Sequence, residues 1–242
     1  MSVPFRVGFL LFPNITQLDL TGPHEVLAQM PGTQIHLVAK TREPVRAGSG
    51  LALVPTTTYA DCPQLDLVCV PGGGGVNSLL TDAATLDFLH RQAQRARYVT
   101  SVCTGALVLG AAGLLRGRRA ATHWMSMDLL PAFGAIPTQQ RVVVDGNVVT
   151  GGGVTAGIDF ALRVVAEVAG EDAARTIQLA IEYDPQPPFD SGHPRSADPR
   201  LIEAARERAA TRQAERRAQV EKAAAALARP SPAPSFEGAG GG

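Results

Sequence analysis

Short apolar runs alternate with helix-length segments along most of this chain. Residues 7–12, 67–70 and 98–102 are rich in branched and aromatic side chains, and proline, glycine or polar residues bound them. Runs of this kind are typical of strands that are buried on both faces. Strands that alternate with helices indicate a mostly parallel sheet with helices on both of its faces. The sequence therefore predicts an α/β fold.

The remaining elements follow from turn and helix signals. Pro23 suits the first turn of a helix that follows Asp19, and Pro31 with Gly32 ends that helix. Alternation and glycine content favour a hairpin in residues 45–54. The other predicted elements are a strand at residues 34–39, a strand pair at 142–145 and 148–150, and helices at residues 83–97, 156–169 and 171–183.

The chain of 242 residues is long enough for one large compact domain, which we place at residues 1–183. Residues 184–198 are rich in proline and predict an extended arm. Residues 199–229 form an Ala/Arg/Glu helix whose few large apolar side chains make only a thin stripe, so we expect it to pack on the body or on a partner subunit, with function elsewhere. Residues 230–242 are predicted to be disordered.

Composition excludes several function classes. Lys and Arg number 22, as do Asp and Glu, so net charge gives no argument for nucleic acid or an anionic membrane as a partner. The three cysteines form no C-x-x-C pair, and no other metal-ligand spacing occurs, so we expect no metal. No run reaches the length of a membrane span or a secretory signal. We therefore expect a cytoplasmic protein.

The segment YVTSVCTGALVLGAAGLL places Cys103 where a predicted strand meets a predicted helix. Unpaired backbone N–H groups at the start of a helix favour an anion, so this position is expected to lower the thiol pKa. Gly105 would let the chain turn sharply there. We therefore favour a reactive nucleophile over an inert core cysteine, and we interpret Cys62 and Cys69 as structural.

Loops that leave parallel strands meet at one edge of the sheet, where ligands bind. Asp19, flanked by leucines, is either a helix-start carboxylate or a general acid/base beside the thiol. The glycine runs are either tight turns or an oxyanion hole made by the N–H groups of Gly73 and Thr104. His123 alone is more typical of a structural histidine.

Together these segments resemble the ThiJ/PfpI superfamily, relatives of the class I glutamine amidotransferases. Pro71-Gly72-Gly73, the Cys103 turn and Thr122-His123 occur in the order that this superfamily uses. The resemblance implies a flavodoxin-like fold, a catalytic domain in residues 1–183 and a homodimer. It also implies a nucleophilic cysteine at the strand-to-helix turn around Cys103, which we call the elbow. Many members carry a glutamate where this chain has Asp19 in QLDLTGPHEV.

An aspartate at that position, with SVCTGALVLGAAGLLRGRRAATHW and VVTGGGVTAGIDFAL, resembles the isocyanide hydratase branch. That resemblance implies a lyase that hydrates an isocyanide to a formamide with water and without a cofactor. Cys103 and Asp19 would be catalytic, and the site would also include Thr104, Gly72, Gly73, His123 and the pocket wall of Gly152, Gly153 and Val154. The same segments also resemble ligand-binding domains of AraC-type regulators, and a glyoxalase-like thiol enzyme of the superfamily is a further alternative.

Overall fold

The computed structural model describes residues 3–229, and the predicted tail at residues 230–242 lies outside the described residues. Eleven strands are present in this range. They are β1 (Phe5–Leu10), β2 (Thr33–Ala39), β3 (Val45–Arg46), β4 (Ala52–Leu53), β5 (Thr57–Thr58), β6 (Leu67–Val70), β7 (Tyr98–Val102), β8 (Arg119–Ala120), β9 (Ile136–Pro137), β10 (Val142–Asp145) and β11 (Val148–Gly151).

Seven α-helices and one long 3₁₀ helix accompany these strands in residues 3–229. The α-helices are α1 (Gln17–Ala28), α2 (Val76–Leu79), α3 (Ala83–Ala93), α4 (Gly105–Ala111), α5 (Ala156–Ala169), α6 (Glu171–Ala180) and α7 (Pro199–Leu227). The 3₁₀ helix spans Trp124–Phe133 and contains Pro131, which cannot donate a helical hydrogen bond.

Seven of the strands form the central sheet in the order β10-β11-β7-β6-β1-β2-β5. Every neighbouring pair in it is parallel except β10 with β11. The predicted parallel α/β architecture is thereby confirmed, and β3 with β4 forms the predicted antiparallel hairpin. Within residues 3–229, no helix has both the length and the apolar character needed to cross a membrane.

The core lies on both faces of the central sheet. All four residues of β6 are buried, as are the last four of β1 and of β7. Phe9 from β1 and Phe160 from α5 are fully buried on these elements. Burial on both faces explains why these strands appear in the sequence as continuous apolar runs rather than as alternating ones.

Several predicted boundaries were wrong by a few residues. Asp19 lies inside α1, whose first helical residue is Gln17, although the helix was expected to begin after Asp19. The helices predicted at 83–97 and 171–183 end at Ala93 and Ala180. Helix ends are set by caps and by packing as well as by propensity, so local sequence specifies them poorly.

Helix α7 packs along the body of this same chain, against the 3₁₀ helix, α2 and α4. Its buried residues are Ala209, Arg216, Val220 and Ala223. Asp198 caps its start by accepting a hydrogen bond from Arg200 N–H at 2.8 Å, and Pro199 occupies the first helical position. Of the large apolar side chains expected to form a stripe, Val220 lies on this buried face, whereas Leu201 is 57% exposed. The face also contains one charged side chain, Arg216.

Candidate active site

Cys103 stands at the turn between β7 and α4 with a φ of 55°, in the left-handed region. Its N–H donates a hydrogen bond to Gly151 O at 2.9 Å, and its carbonyl accepts one from Thr122 Oγ1 at 2.8 Å. A non-glycine residue held in this region carries backbone strain of order 1–3 kcal/mol, and such residues cluster at functional sites. The surrounding loops hold the turn in place through these two bonds.

Gly105 is required at this turn by close approach. A Cβ atom at that position would lie 1.9 Å from Val70 O, at the end of the neighbouring strand β6. No side chain larger than hydrogen fits there without moving the backbone. The predicted role of Gly105 in a sharp turn is therefore explained by the packing of α4 directly against β6.

The carboxyl of Asp19 is fully buried beside the thiol. Its Oδ2 accepts a hydrogen bond from Gly72 N–H at 2.8 Å, while Oδ1 has no hydrogen-bond partner among the described residues. Burial raises the pKa of Asp19 to about 7, although the Gly72 N–H and the Cys103 thiol act in the opposite direction. The carboxyl can therefore hold a proton near neutral pH, with one oxygen available for proton transfer.

The environment does not give Cys103 the lowered thiol pKa expected from its place before a helix. Burial raises the pKa of the thiol, and the charge of the Asp19 carboxylate raises it further. The N–H of Thr104 and the guanidinium of Arg216 lower it, but they are outweighed. Loss of solvation therefore outweighs the N–H groups at the start of α4, a helix of seven residues that is buried throughout.

The glycine loop after β6 makes different contacts from those predicted for an oxyanion hole. Gly73 N–H donates to Thr104 Oγ1 at 3.1 Å, so it is already used, and Gly72 N–H is used by Asp19. A Cβ atom on Gly72 would lie 2.6 Å from Thr104 N and 2.8 Å from Asp19 Oδ2. Gly72 therefore lets the loop close over both residues, which orients them beside Cys103.

His123 lies next to the site in its neutral form. Its Nδ1 accepts a weak hydrogen bond from Met125 N–H at 3.4 Å. Burial, together with the charges of Arg216 and Arg212, lowers the pKa of His123 to about 4. The imidazole is therefore unprotonated at neutral pH and available as an acceptor rather than as an acid.

An open cleft of about 760 Å³ begins beside the Cys103 turn. The predicted wall residues Gly152, Gly153 and Val154 line it, together with Thr122 and His123. Residues 192–195 of the proline-rich arm line the other side. Cys103 is only 6% exposed and does not line the cleft itself, but its carbonyl accepts a hydrogen bond from the lining residue Thr122.

Arg216 is the site residue that sequence reasoning missed. It lies on α7, is 3% exposed, and donates hydrogen bonds to Asn77 Oδ1, Ser126 Oγ and Gly73 O at 3.0, 3.3 and 3.2 Å. A signal did exist, because Ala209, Arg216 and Ala223 recur at seven-residue spacing on the buried stripe of α7. Within residues 3–229, no three metal-ligating side chains of the His, Cys, Asp or Glu type come together.

Comparison with known proteins shows what this chain is similar to. The chain is 59% identical to an isonitrile hydratase from Pseudomonas putida over 92% of its own length and 97% of that protein. It is 30% identical to the HTH-type transcriptional regulator GbdR from Pseudomonas aeruginosa, over 75% of this chain and 51% of the regulator.

A solved structure of a ThiJ/PfpI family protein from Pseudomonas syringae matches with a TM-score of 0.86 and 43% identity, covering 91% of this chain and 90% of that one. The family model for DJ-1/PfpI matches residues 5–167, which hold the elbow, the buried carboxyl and the glycine loop. The chain therefore belongs to the DJ-1/PfpI family.

Proposed function

We propose that this protein is an isocyanide hydratase, a cofactor-independent lyase that converts an isocyanide and water into an N-substituted formamide. The observation that carries the proposal is the pairing of Cys103, held on a left-handed turn, with a buried Asp19 carboxyl that keeps one oxygen without a partner. The identity of 59% to an isonitrile hydratase, isonitrile being another word for isocyanide, supports the same reaction.

The pair of Cys103 and Asp19 begins the reaction with one shared proton. Burial raises both pKa values, so the proton stays on one of the two groups rather than leaving for solvent. Asp19 takes the proton of the thiol, the thiolate sulfur adds to the terminal carbon of R–N≡C, and Asp19 delivers the proton to that carbon. The product of this step is the thioimidate R–N=CH–S–Cys103, with Asp19 now a carboxylate.

Water completes the cycle through the same carboxyl. Asp19 accepts a proton from water while the oxygen adds to the thioimidate carbon, and it passes a proton to the nitrogen. The adduct R–NH–CH(OH)–S–Cys103 then loses its hydroxyl proton to Asp19 as the C–S bond breaks. Formamide leaves, and the thiolate and protonated carboxyl are restored. Thr104 N–H stabilises negative charge on sulfur, as its lowering of the thiol pKa indicates.

The other predicted groups take supporting roles in this scheme. Gly72 orients the carboxyl through its N–H, and Gly73 orients Thr104 through the Thr104 hydroxyl. Gly152, Gly153 and Val154 form the wall against which the R group of the isocyanide lies, and His123 accepts hydrogen bonds in the same cleft. We also propose that the protein acts as a cytoplasmic homodimer, as the family resemblance implies.

The decisive experiment follows an alkyl isocyanide by loss of substrate and by appearance of the matching formamide in NMR spectra. Turnover with formamide as the product supports the proposal. Saturable binding without turnover would identify a ligand-binding domain like that of the regulators, and conversion of methylglyoxal with no reaction of isocyanide would identify a glyoxalase-like enzyme. Sedimentation or light scattering of the purified protein tests the homodimer.

A further inference from the structure

Arg216 brings a positive charge from the C-terminal helix into the interior beside the site. Its three acceptors are an amide oxygen, a hydroxyl and a backbone carbonyl, and all three are neutral. Ten ion pairs occur in residues 3–229, and Arg216 belongs to none of them. A buried charge is costly unless an opposite charge compensates it.

The charge of Arg216 acts on two groups, the imidazole of His123, whose pKa it lowers, and the thiol of Cys103. The guanidinium of Arg216 favours the thiolate, and the thiolate in turn favours the charged guanidinium. The other charged or titratable groups around the thiol are Asp19 on α1, which opposes the thiolate when ionised, and, close to Arg216, Arg212 on α7 and the neutral His123. Arg216 is thus the cation that compensates negative charge at the elbow.

The contacts of Arg216 also hold the loop that orients Thr104. The carbonyl of Gly73 accepts a hydrogen bond from Arg216, and its N–H donates a hydrogen bond to Thr104 Oγ1. Ser126 accepts from Arg216 and lies within hydrogen-bond distance of Gln213, also on α7. Helix α7, the 3₁₀ helix and the glycine loop therefore meet at this one side chain.

We infer that Arg216 is a positioning residue of the hydratase reaction, which stabilises the Cys103 thiolate by its charge and makes the C-terminal helix α7 part of the active site. This inference rests on the proposed function. It revises the expectation that α7 serves only stability or assembly. Arg216 acts through Cys103 and through the loop, and its side chain does not need to touch the substrate.

The test measures the rate of Cys103 alkylation by iodoacetamide against pH, without any isocyanide, and follows the Cys103 peptide by mass. The mass of the Cys103 peptide separates its reaction from that of Cys62 and Cys69, whose pKa values burial raises to about 11 and about 12. Because no substrate is present, a failure of the inference is distinguishable from a failure of the proposed hydratase activity.

Arg216→Gln removes the charge, and we expect the midpoint of the rate curve to rise by about one pH unit or more, the scale of a nearby opposite charge. For each pH unit by which the midpoint rises, the alkylation rate near neutral pH should fall only about threefold, because a more basic thiolate is also a better nucleophile. Arg216→Lys keeps the charge and should keep the midpoint close to that of the wild type, even if thermal stability falls.

The matched control is Arg217→Gln on the next residue of α7, which pairs with Asp128 at the surface. It removes a contact between α7 and the 3₁₀ helix without changing charge at the site, so its midpoint should not move. Midpoints that stay fixed in Arg216→Gln, or that rise equally in the Gln and Lys variants, would overturn the charge role.

A second variant keeps the test open if Arg216→Gln does not fold. Asn77→Asp retains the oxygen that accepts from Arg216 Nε and places a carboxylate against the guanidinium. We expect this neutralisation to raise the alkylation midpoint with Arg216 still in place. A folded Asn77→Asp protein with an unchanged midpoint would show that Arg216 serves packing alone.

Discussion

Gly72 donates its N–H to Asp19 at 2.8 Å, and this bond fixes one oxygen of the only fully buried carboxyl in residues 3–229. The other oxygen has no hydrogen-bond partner among the described residues. One carboxyl oxygen is therefore held by the backbone, and the other stays available for a proton. The relationship explains how a glycine loop, which has no side-chain chemistry of its own, can determine the orientation of this carboxyl.

Replacing Asp19 with Asn tests the proton transfer directly. The substitution keeps the size of the side chain and removes the transferable proton, so turnover of isocyanide should fall by about 10²-fold or more, the usual scale of general acid/base catalysis. Steady-state kinetics with formamide detection measures the loss. A purely structural carboxyl would tolerate Asn with near-normal turnover, and the proton would then come from water, because His123 is neutral.

The one-methylene extension Asp19→Glu makes a complementary test, because it retains the chemistry and moves the carboxyl. A displacement of about 1 Å can cost roughly 10²-fold in rate. We expect this variant to be poor as well, with its chemical step slowed more than its substrate binding.

The raised pKa of Asp19 also predicts how stability depends on pH. The pKa is about 7 in the folded protein against 3.8 in the unfolded chain, so the folded state binds the proton more tightly. The contribution of this group to stability is therefore greatest below pH 4 and is lost as pH rises toward 7, by a few kcal/mol. Asp19→Asn, which stays neutral, should gain stability over the wild type at pH 8 but not at pH 4, as urea unfolding at both values would show.

Cys103→Ala should abolish turnover, because it removes the nucleophile. The protein should stay folded, because a side chain at this turn contributes little packing. Cys103→Gly should be equally inactive and at least as stable as the Ala variant, since glycine adopts a φ of 55° without the strain of a Cβ atom. Thermal unfolding of the two variants provides the comparison. An Ala variant clearly more stable than the Gly variant would contradict the strained turn.

Gly105→Ala should disrupt the elbow, because the added Cβ atom would lie 1.9 Å from Val70 O. Backbone must shift to relieve this contact, and overpacking of this kind costs about 1–3 kcal/mol or more. Gly48→Ala is the matched control, since its nearest contacts are 3.8 Å away and ordinary. Urea unfolding should separate the two, and equal stabilities would show that α4 can move away from β6.

Local sequence by itself determined the buried strands and the turn at Cys103, and it predicted that Cys103 and Asp19 lie at the same edge of the sheet. The buried strands β1, β6 and β7 were recognisable because both of their faces are covered, which leaves continuous apolar runs. Cys103 stood out because a strand pattern and a helix pattern meet at it. Asp19 was expected beside Cys103 because the chain that leaves β1 must reach the same edge of the sheet.

Tertiary structure alone decided the electrostatics of the site. The thiol pKa was expected to fall because of a helix end, and it rises because the thiol is buried and the Asp19 carboxylate is close. Gly73 N–H was either part of a tight turn or a donor of an oxyanion hole, and Thr104 Oγ1 accepts its hydrogen bond. Arg216 follows Cys103 by more than a hundred residues, and its place beside Gly73 arises from the docking of α7. Burial and charge proximity depend on which distant segments pack together, and no local pattern encodes that.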